Sequence, residues 1–220
     1  MEKSQREYIS ISKQALKRLP YYLNYLKKLR DSGANKVSST MIAKEMHLSD
    51  VQVRKDLAAV SKTGGRPRTG FDIEELIMCI ENYLGYNNIN DAVLVGAGHL
   101  GRALLSYSGF ESYGLRIVAA FDNNKDVVNT NICGKLVFPM EKLNDICRRL
   151  KVHIGIITVP ADAAQNVCDQ LIDSGIIAIW NFAPVHLSVN EEIIVHNENI
   201  AASLALLSNQ LAVKLNRIQK

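Results

Sequence analysis

Three glycines follow an apolar run in Val93-Leu-Val-Gly96-Ala97-Gly98-His99-Leu100-Gly101, and an acid, Asp122, stands 21 residues after the last of them. Between a strand and a helix, this spacing suits a dinucleotide. Gly96 permits the tight turn, Gly98 lets backbone approach a pyrophosphate, and Gly101 lets the helix pack on the strand. The helix start at His99 and Leu100 offers free N–H groups and partial positive charge to phosphates. Asp122, followed by Asn123, can accept from both ribose hydroxyls and would repel a 2′-phosphate, so NAD(H) is expected over NADP(H). Thr158-Val159-Pro160 and Asn181-Phe182-Ala183-Pro184 each end an apolar run, where ligands bind in such sheets. Both are candidates for the nicotinamide end, although Phe182 reads equally well as core.

A second kind of chemistry lies in the first third of the chain. Residues 1–70 hold 15 Lys/Arg against 6 Asp/Glu, while the formal charge of all 220 residues is only +4. That concentration suits a polyanion, or simply a Lys-rich solvated surface. Ser38 and Ser39 can cap a short helix over Thr40–Met46, and Ser49 with Gln52 forms a capping box for a helix running to Val60. Two short helices joined by a tight turn, after a longer one, form the helix-turn-helix pattern. Its geometry aims the start of the second helix at base edges, which nominates Ser49, Gln52, Val53, Arg54 and Lys55. Arg54 or Lys55 suits guanine O6/N7 and Gln52 suits adenine. Arg66 and Arg68, in the turn-rich stretch 61–70, suit a narrow A·T-rich minor groove as part of a loop or wing. Ser38, Ser39 and Lys62 suit phosphates.

The elements that must position these residues follow from periodicity. Leu16, Leu19, Leu23, Leu26 and Leu29 mark an amphipathic helix that Pro20 should kink or restart, with Gly33 as its stop. Asp72 and Glu75 open a helix through Leu84, and 85–91 reads as a linker. Beyond it, short apolar strands at 92–95, 115–121, 136–138, 154–159, 176–181 and 193–196 alternate with helices at 99–107, 139–150 and 161–174. That alternation implies a mostly parallel sheet. A last helix, 199–218, carries the stripe Ile200, Leu204, Leu207, Leu211 and Leu215, which needs an apolar partner or must fold back on its own sheet. The fold class is therefore α/β. A winged helix-turn-helix domain (1–85) precedes a Rossmann-like parallel-sheet domain (86–198) and a C-terminal helix (199–220).

With 47% hydrophobic and 22% charged residues, the composition is that of a globular chain, and no apolar run approaches the ~20 residues of a membrane span. The charged start, Met-Glu-Lys-Ser-Gln-Arg-Glu, has no apolar region of a secretory signal, so a cytoplasmic protein without membrane contact is expected. Cys79, Cys133, Cys147 and Cys168 lack metal or redox spacing and read as reduced core cysteines. His153, His186 and His196 show no catalytic pairing, and nothing beyond the dinucleotide domain is left to hold a substrate. An NAD-dependent oxidoreductase with an accessory helical domain is thus the weaker alternative. A nucleotide-binding interaction module, for CoA for instance, is another.

A helix-turn-helix unit fused to a minimal dinucleotide fold resembles the Rex family, the redox-sensing transcriptional repressors of bacteria. Arg18-Leu-Pro-Tyr-Tyr22, Val53-Arg-Lys-Asp-Leu57, Gly96–Gly101, Tyr107-Ser-Gly-Phe110, Thr158–Pro160 and Asn181–Pro184 carry the resemblance over nearly the whole chain. Two places depart from it. The stretch 58–71 lacks the family's Ser-Tyr-Phe-Gly and Gly-x-Gly-Tyr segments, and Asn24 stands where some members have an arginine. The resemblance implies a homodimer with an exchanged C-terminal helix, a palindromic A·T-rich operator in double-stranded DNA, and NADH and NAD⁺ as effectors. It also makes Tyr107 a reporter of the nicotinamide ring. NADH and NAD⁺ differ in ring charge, and an apolar mouth of Val159, Pro160, Phe182 and Pro184 would penalise the cation by several kcal/mol. Seating the neutral ring would close the nucleotide domains and spoil the spacing of the recognition helices.

Overall fold

The computed structural model describes residues 11–61 and 70–218. The chain divides into two compact units, 1–88 and 89–220. Among the described residues, no helix is long and apolar enough to cross a membrane.

In the first unit, α1 (Lys13–Asp31) begins where Ser12 Oγ accepts from the Ala15 N–H at 3.2 Å. Pro20 lies inside α1, and the helix does not restart there. Ala15, Leu19, Tyr22, Leu23 and Leu26 bury one continuous stripe across the proline. That burial outweighs the ~3 kcal/mol cost of an interior proline. β1 (Lys36–Val37) follows, then α2 (Ser39–Met46), capped by Ser38, and α3 (Asp50–Val60), capped by Ser49. His47, with φ 53°, ends α2 in the left-handed conformation that makes the tight turn. β2 (Phe71–Asp72) pairs antiparallel with β1 and leads into α4 (Ile73–Leu84), whose Asp72 cap accepts from the Glu75 N–H at 3.0 Å. This strand pair was not evident from the sequence. Gly70 makes it possible: its φ is +71°, and a Cβ there would stand 2.4 Å from the Val37 carbonyl oxygen. Leu19, Tyr22 and Leu26 of α1 pack with Ile42, Val53, Leu57, Ile73, Leu76 and Ile80 in one core.

In the second unit, β3 (Asn90–Val95) leads into α5 (His99–Ser106) and a 3₁₀ turn (Ser108–Tyr113). Next come β4 (Leu115–Asp122), the short β5 (Asn131–Ile132), β6 (Lys135–Pro139) and α6 (Leu143–Leu150). β7 (Ile154–Ile157), α7 (Ala161–Asp173), β8 (Ala178–Asn181), β9 (Ile194–Asn197) and α8 (Ile200–Ile218) complete it. The sheet order is β5-β6-β4-β3-β7-β8-β9, all parallel except the β5–β6 hairpin. Without β5, this is the doubly wound order that changes direction between its first and fourth strands, here β3 and β7. Alternate residues serve the two faces. Val93, Val95, Phe121 and Ile157 meet α6 and α7, while Ala92, Leu94, Ala120 and Ile156 meet α5.

Asn90 and Asp91, read as linker, are the first residues of β3, where Asp91 pairs with Arg116 at 2.7 Å. Cys147 and Cys168 are buried, and burial pushes both thiols up to about 11. Cys133, read as core, is exposed with φ 50° at the β5–β6 turn. α8 does not fold back on its own sheet: every described side chain from Ile200 to Asn216 is exposed.

Candidate functional site

The glycine loop sits at the direction change of the sheet. Gly96 has φ 100°, and a Cβ there would lie 2.8 Å from the Thr158 carbonyl. The Thr158 N–H donates to Val95 O at 2.9 Å, and Thr158 Oγ1 donates to Gly96 O at 2.7 Å, so the β3 and β7 ends are tied together. At Gly101 a Cβ would stand 2.0 Å from Gly96 O, which is why this helix residue must be glycine. Gly98 is different. Its φ of −70° suits any residue, and a Cβ would meet nothing within 4 Å. The protein itself makes no demand for glycine here, so the open space in front of it is available to a ligand. Gly98 caps α5 without a side-chain hydrogen bond, leaving the first N–H groups of that helix for an anion.

Asp122 ends β4 beside this loop. Its Oδ2 accepts from the Ala97 N–H at 2.7 Å and its Oδ1 from the Asn124 N–H at 2.8 Å. A carboxylate offers about four acceptor positions, so two remain for a diol. A cleft of about 370 Å³ joins Gly96, Gly98, Asp122, Asn123, Thr158, Val159 and Pro160. It also takes in Met140, Ala163, Asn166, Val167 and Gln170, which sequence reasoning missed. The signal was there: 163, 166, 167 and 170 follow the three- and four-residue steps of one α7 face. His99 and Leu100 are exposed on the first turn of α5, while Ala97 is buried and contributes its N–H to Asp122.

The end of β8 divides. Asn181, read as a cofactor contact, is buried, and its amide is consumed internally. It donates to Val185 O at 2.9 Å and Asn197 Oδ1 at 2.8 Å, and it accepts from the Ala183 N–H at 3.0 Å. It closes the loop after β8 and cannot reach a ligand without abandoning these bonds. Ala183 is likewise buried core rather than a contact surface. Phe182 and Pro184 remain accessible. Phe182 meets Trp180 in a tilted contact at 4.8 Å, Trp180 meets Phe110 at 5.8 Å, and Phe110 meets Tyr107 at 4.9 Å. An aromatic chain thus connects Tyr107 to the β8 end, and Phe182 packs on the core while part of its surface stays open.

In the first unit, α3 presents residues 51, 54, 55 and 58 outward and buries Val53, Asp56, Leu57 and Val60. Val53, expected at a base edge, is 0% exposed and belongs to the core. Ser39 is also buried, with its hydroxyl on Asp50, and is not a phosphate contact. Ser38 and Ser49 spend their hydroxyls capping α2 and α3. Arg54 is exposed and pairs with Asp50 one turn back; Lys55 is exposed. Lys62, Arg66 and Arg68 lie outside the described residues. Val51, which the sequence reading passed over, is 73% exposed.

A buried network holds α3 against α1. Asp56, 3% exposed, accepts from Arg18 Nε at 2.7 Å, Arg18 NH2 at 2.9 Å, the Tyr22 hydroxyl at 2.9 Å and Gln52 Nε2 at 2.9 Å. Burial alone would raise the Asp56 carboxyl, but these donors outweigh it and hold it below the usual range. Burial, and then the neighbouring carboxylate, push the Tyr22 phenol up to about 12. Gln52 therefore turns part of its amide inward instead of completing the expected capping box.

Residues 10–58 match a family model described as "Putative DNA-binding protein N-terminus", and residues 87–185 match one described as "CoA binding domain". The redox-sensing transcriptional repressor Rex of Bacteroides fragilis is 40% identical over 94% of this chain and 93% of its own length. That of Porphyromonas gingivalis is 42% identical over 89% of both. The chain belongs to the Rex family. This is a family of transcriptional repressors, not of dehydrogenases. The structure of RSP, a Rex-family repressor, in complex with β-NAD⁺ and operator DNA matches with a TM-score of 0.87 and 32% identity over 96% of both chains. RSP with β-NADH matches at 0.83, with 32% identity over 96% of this chain and 99% of that one. The CoA description covers the second unit only, while the Rex relatives span both. The two Rex-like segments around Arg18 and Asp56 are the two sides of the buried network.

Proposed function

We propose that this chain is a repressor that binds a palindromic, A·T-rich operator as a homodimer and leaves it when NADH binds. The observation that carries the reading is Gly98. Its missing side chain serves no packing need, yet it faces a cleft closed on one side by Asp122 and on another by Val159 and Pro160. A pyrophosphate against the start of α5, with ribose on Asp122, fits that arrangement, and RSP is known with both forms of the dinucleotide. The apolar groups Val159, Pro160, Phe182 and Pro184 would favour the neutral ring of NADH over the cation. A difference of ~2.7 kcal/mol is a hundredfold preference. On the DNA side, Arg54 and Lys55 lie on the free face of α3, and Ser38 and Ser49 stand at helix starts where phosphates bind. The exposed apolar stripe of α8 supports a dimer in which that helix packs on a second copy.

The test is fluorescence anisotropy of a labelled A·T-rich palindromic duplex, with NADH and NAD⁺ titrated separately into the complex. Release by NADH at concentrations where NAD⁺ leaves the complex intact is expected. A complex indifferent to both nucleotides would remove the sensor half of the reading.

A further inference from the structure

We propose that Val51 is a specificity-determining residue of α3, packing against the 5-methyl group of a thymine in the major groove. This rests on the DNA-binding reading above. Val51 is the most exposed large apolar side chain among the described residues, at 73%. Seven of the others form the continuous stripe of α8, and the rest are scattered over other elements. Val51 stands alone, in the first turn of a helix, where an acidic or small polar residue would serve the helix better and a β-branched residue slightly disfavours it. Among the described residues, none buries it.

The geometry of α3 gives it a use. Successive 100° steps put 51, 54, 55 and 58 on one stripe and Val53 and Val60 on the opposite side. Burial agrees: Val53 is at 0% and Val60 is in the same core, while 51, 54, 55 and 58 are exposed. Val51 is therefore flanked on the free face by the guanidinium of Arg54 and the ammonium of Lys55. A single branched apolar group between two cations, at the start of the second helix of a helix-turn-helix, matches one feature of duplex DNA. The major-groove edge of thymine is the only natural base edge that presents a methyl group. Gln52, by contrast, has an Nε2–H committed to buried Asp56 at 2.9 Å, and Val53 faces the core, so neither competes for this position.

The test removes only the methyl group. A duplex selected by the wild-type protein from a random pool is resynthesised with deoxyuridine replacing each thymine in turn, and affinities are compared for the wild type and Val51→Ala. Val51 is solvent-exposed, so the variant keeps the fold, and its affinity for NADH in the absence of DNA should match that of the wild type. The wild type should lose about fourfold at one thymine per half-site, the effect of burying one methyl-sized group, and about fifteenfold when both half-sites are changed. Val51→Ala should bind the thymine and uracil duplexes equally at that position while keeping its other base preferences. If the wild type ignores every thymine-to-uracil change, or Val51→Ala keeps the preference at the same position, the assignment is wrong. If the wild type selects no duplex at all, the repressor reading itself falls, and this one with it.

Discussion

At the scale of single residues, the three loop glycines separate into two kinds. Gly96 and Gly101 are required by the protein's own backbone, one through φ 100° and the Thr158 carbonyl, the other through Gly96 O. Gly98 is not required by the backbone or packing of the described residues, and in the proposed function it gives the pyrophosphate its approach. Gly98→Val should therefore leave thermal unfolding within about 0.5 kcal/mol of wild type, the range of an ordinary surface change. It should weaken NADH binding, read by intrinsic fluorescence quenching, at least tenfold. Unchanged affinity would mean that the phosphates do not pass over Gly98. Asp56 is the other decisive residue. Its carboxyl is held below its unfolded value, so its contribution to stability is complete above the ordinary carboxylate range and is lost as pH falls from that range through the lower folded-state value. Tyr22 is raised from the ordinary phenol value of 10.0 to about 12, so its contribution is complete below 10.0 and is lost as pH rises toward 12. Asp56→Asn should destabilise the first unit by roughly 3 kcal/mol at neutral pH. It should also flatten the acid limb of urea-melt stability against pH. Tyr22→Phe should flatten the alkaline limb instead. An Asp56→Asn variant as acid-sensitive as wild type would show that the network contributes nothing to stability.

At the scale of elements, burial overrides local rules where many side chains act together. α1 runs through Pro20 because five buried residues on one stripe outweigh a single missing hydrogen bond. The start of α3 obeys its Ser49 cap, but Gln52 turns to Asp56 because a buried ionised carboxylate gains more from another donor than the helix start gains from a box. The same tie leaves Val51, Arg54 and Lys55 as the free face of α3. α5 is short, starts on a bare glycine and ends at Tyr107, where the aromatic chain through Phe110 and Trp180 reaches Phe182. The start of α5 thus borders the cleft beside Gly98, and the residue that caps its end leads through two further rings to the end of β8.

At the scale of the whole molecule, α8 decides. A helix of 19 residues whose leucines are all in solvent is not a stable endpoint for one chain. If the proposed homodimer is held by α8, removing residues 199–220 should give monomers in light scattering where the full chain gives dimers, and weaken binding to a palindromic duplex by roughly a hundredfold, the loss of joint engagement of two half-sites. A truncated chain that remains dimeric would place the interface elsewhere. Much of this protein is legible in its sequence because the chemistry is local. Capping residues, a 3.6-residue leucine stripe and glycines between a strand and a helix are short-range signals, and they predict the helix-turn-helix, the alternating sheet and the glycine loop near their observed bounds. The tertiary structure decided which side chains are left free to act. Val53 and Asn181 looked like contacts because they stand in the right segments, but packing drew the first into the core and internal hydrogen bonds consumed the second. Val51, Met140 and the α7 row entered the candidate sites for the complementary reason. Which face of an element meets solvent depends on what packs against its other side, and those partners lie tens of residues away in the chain.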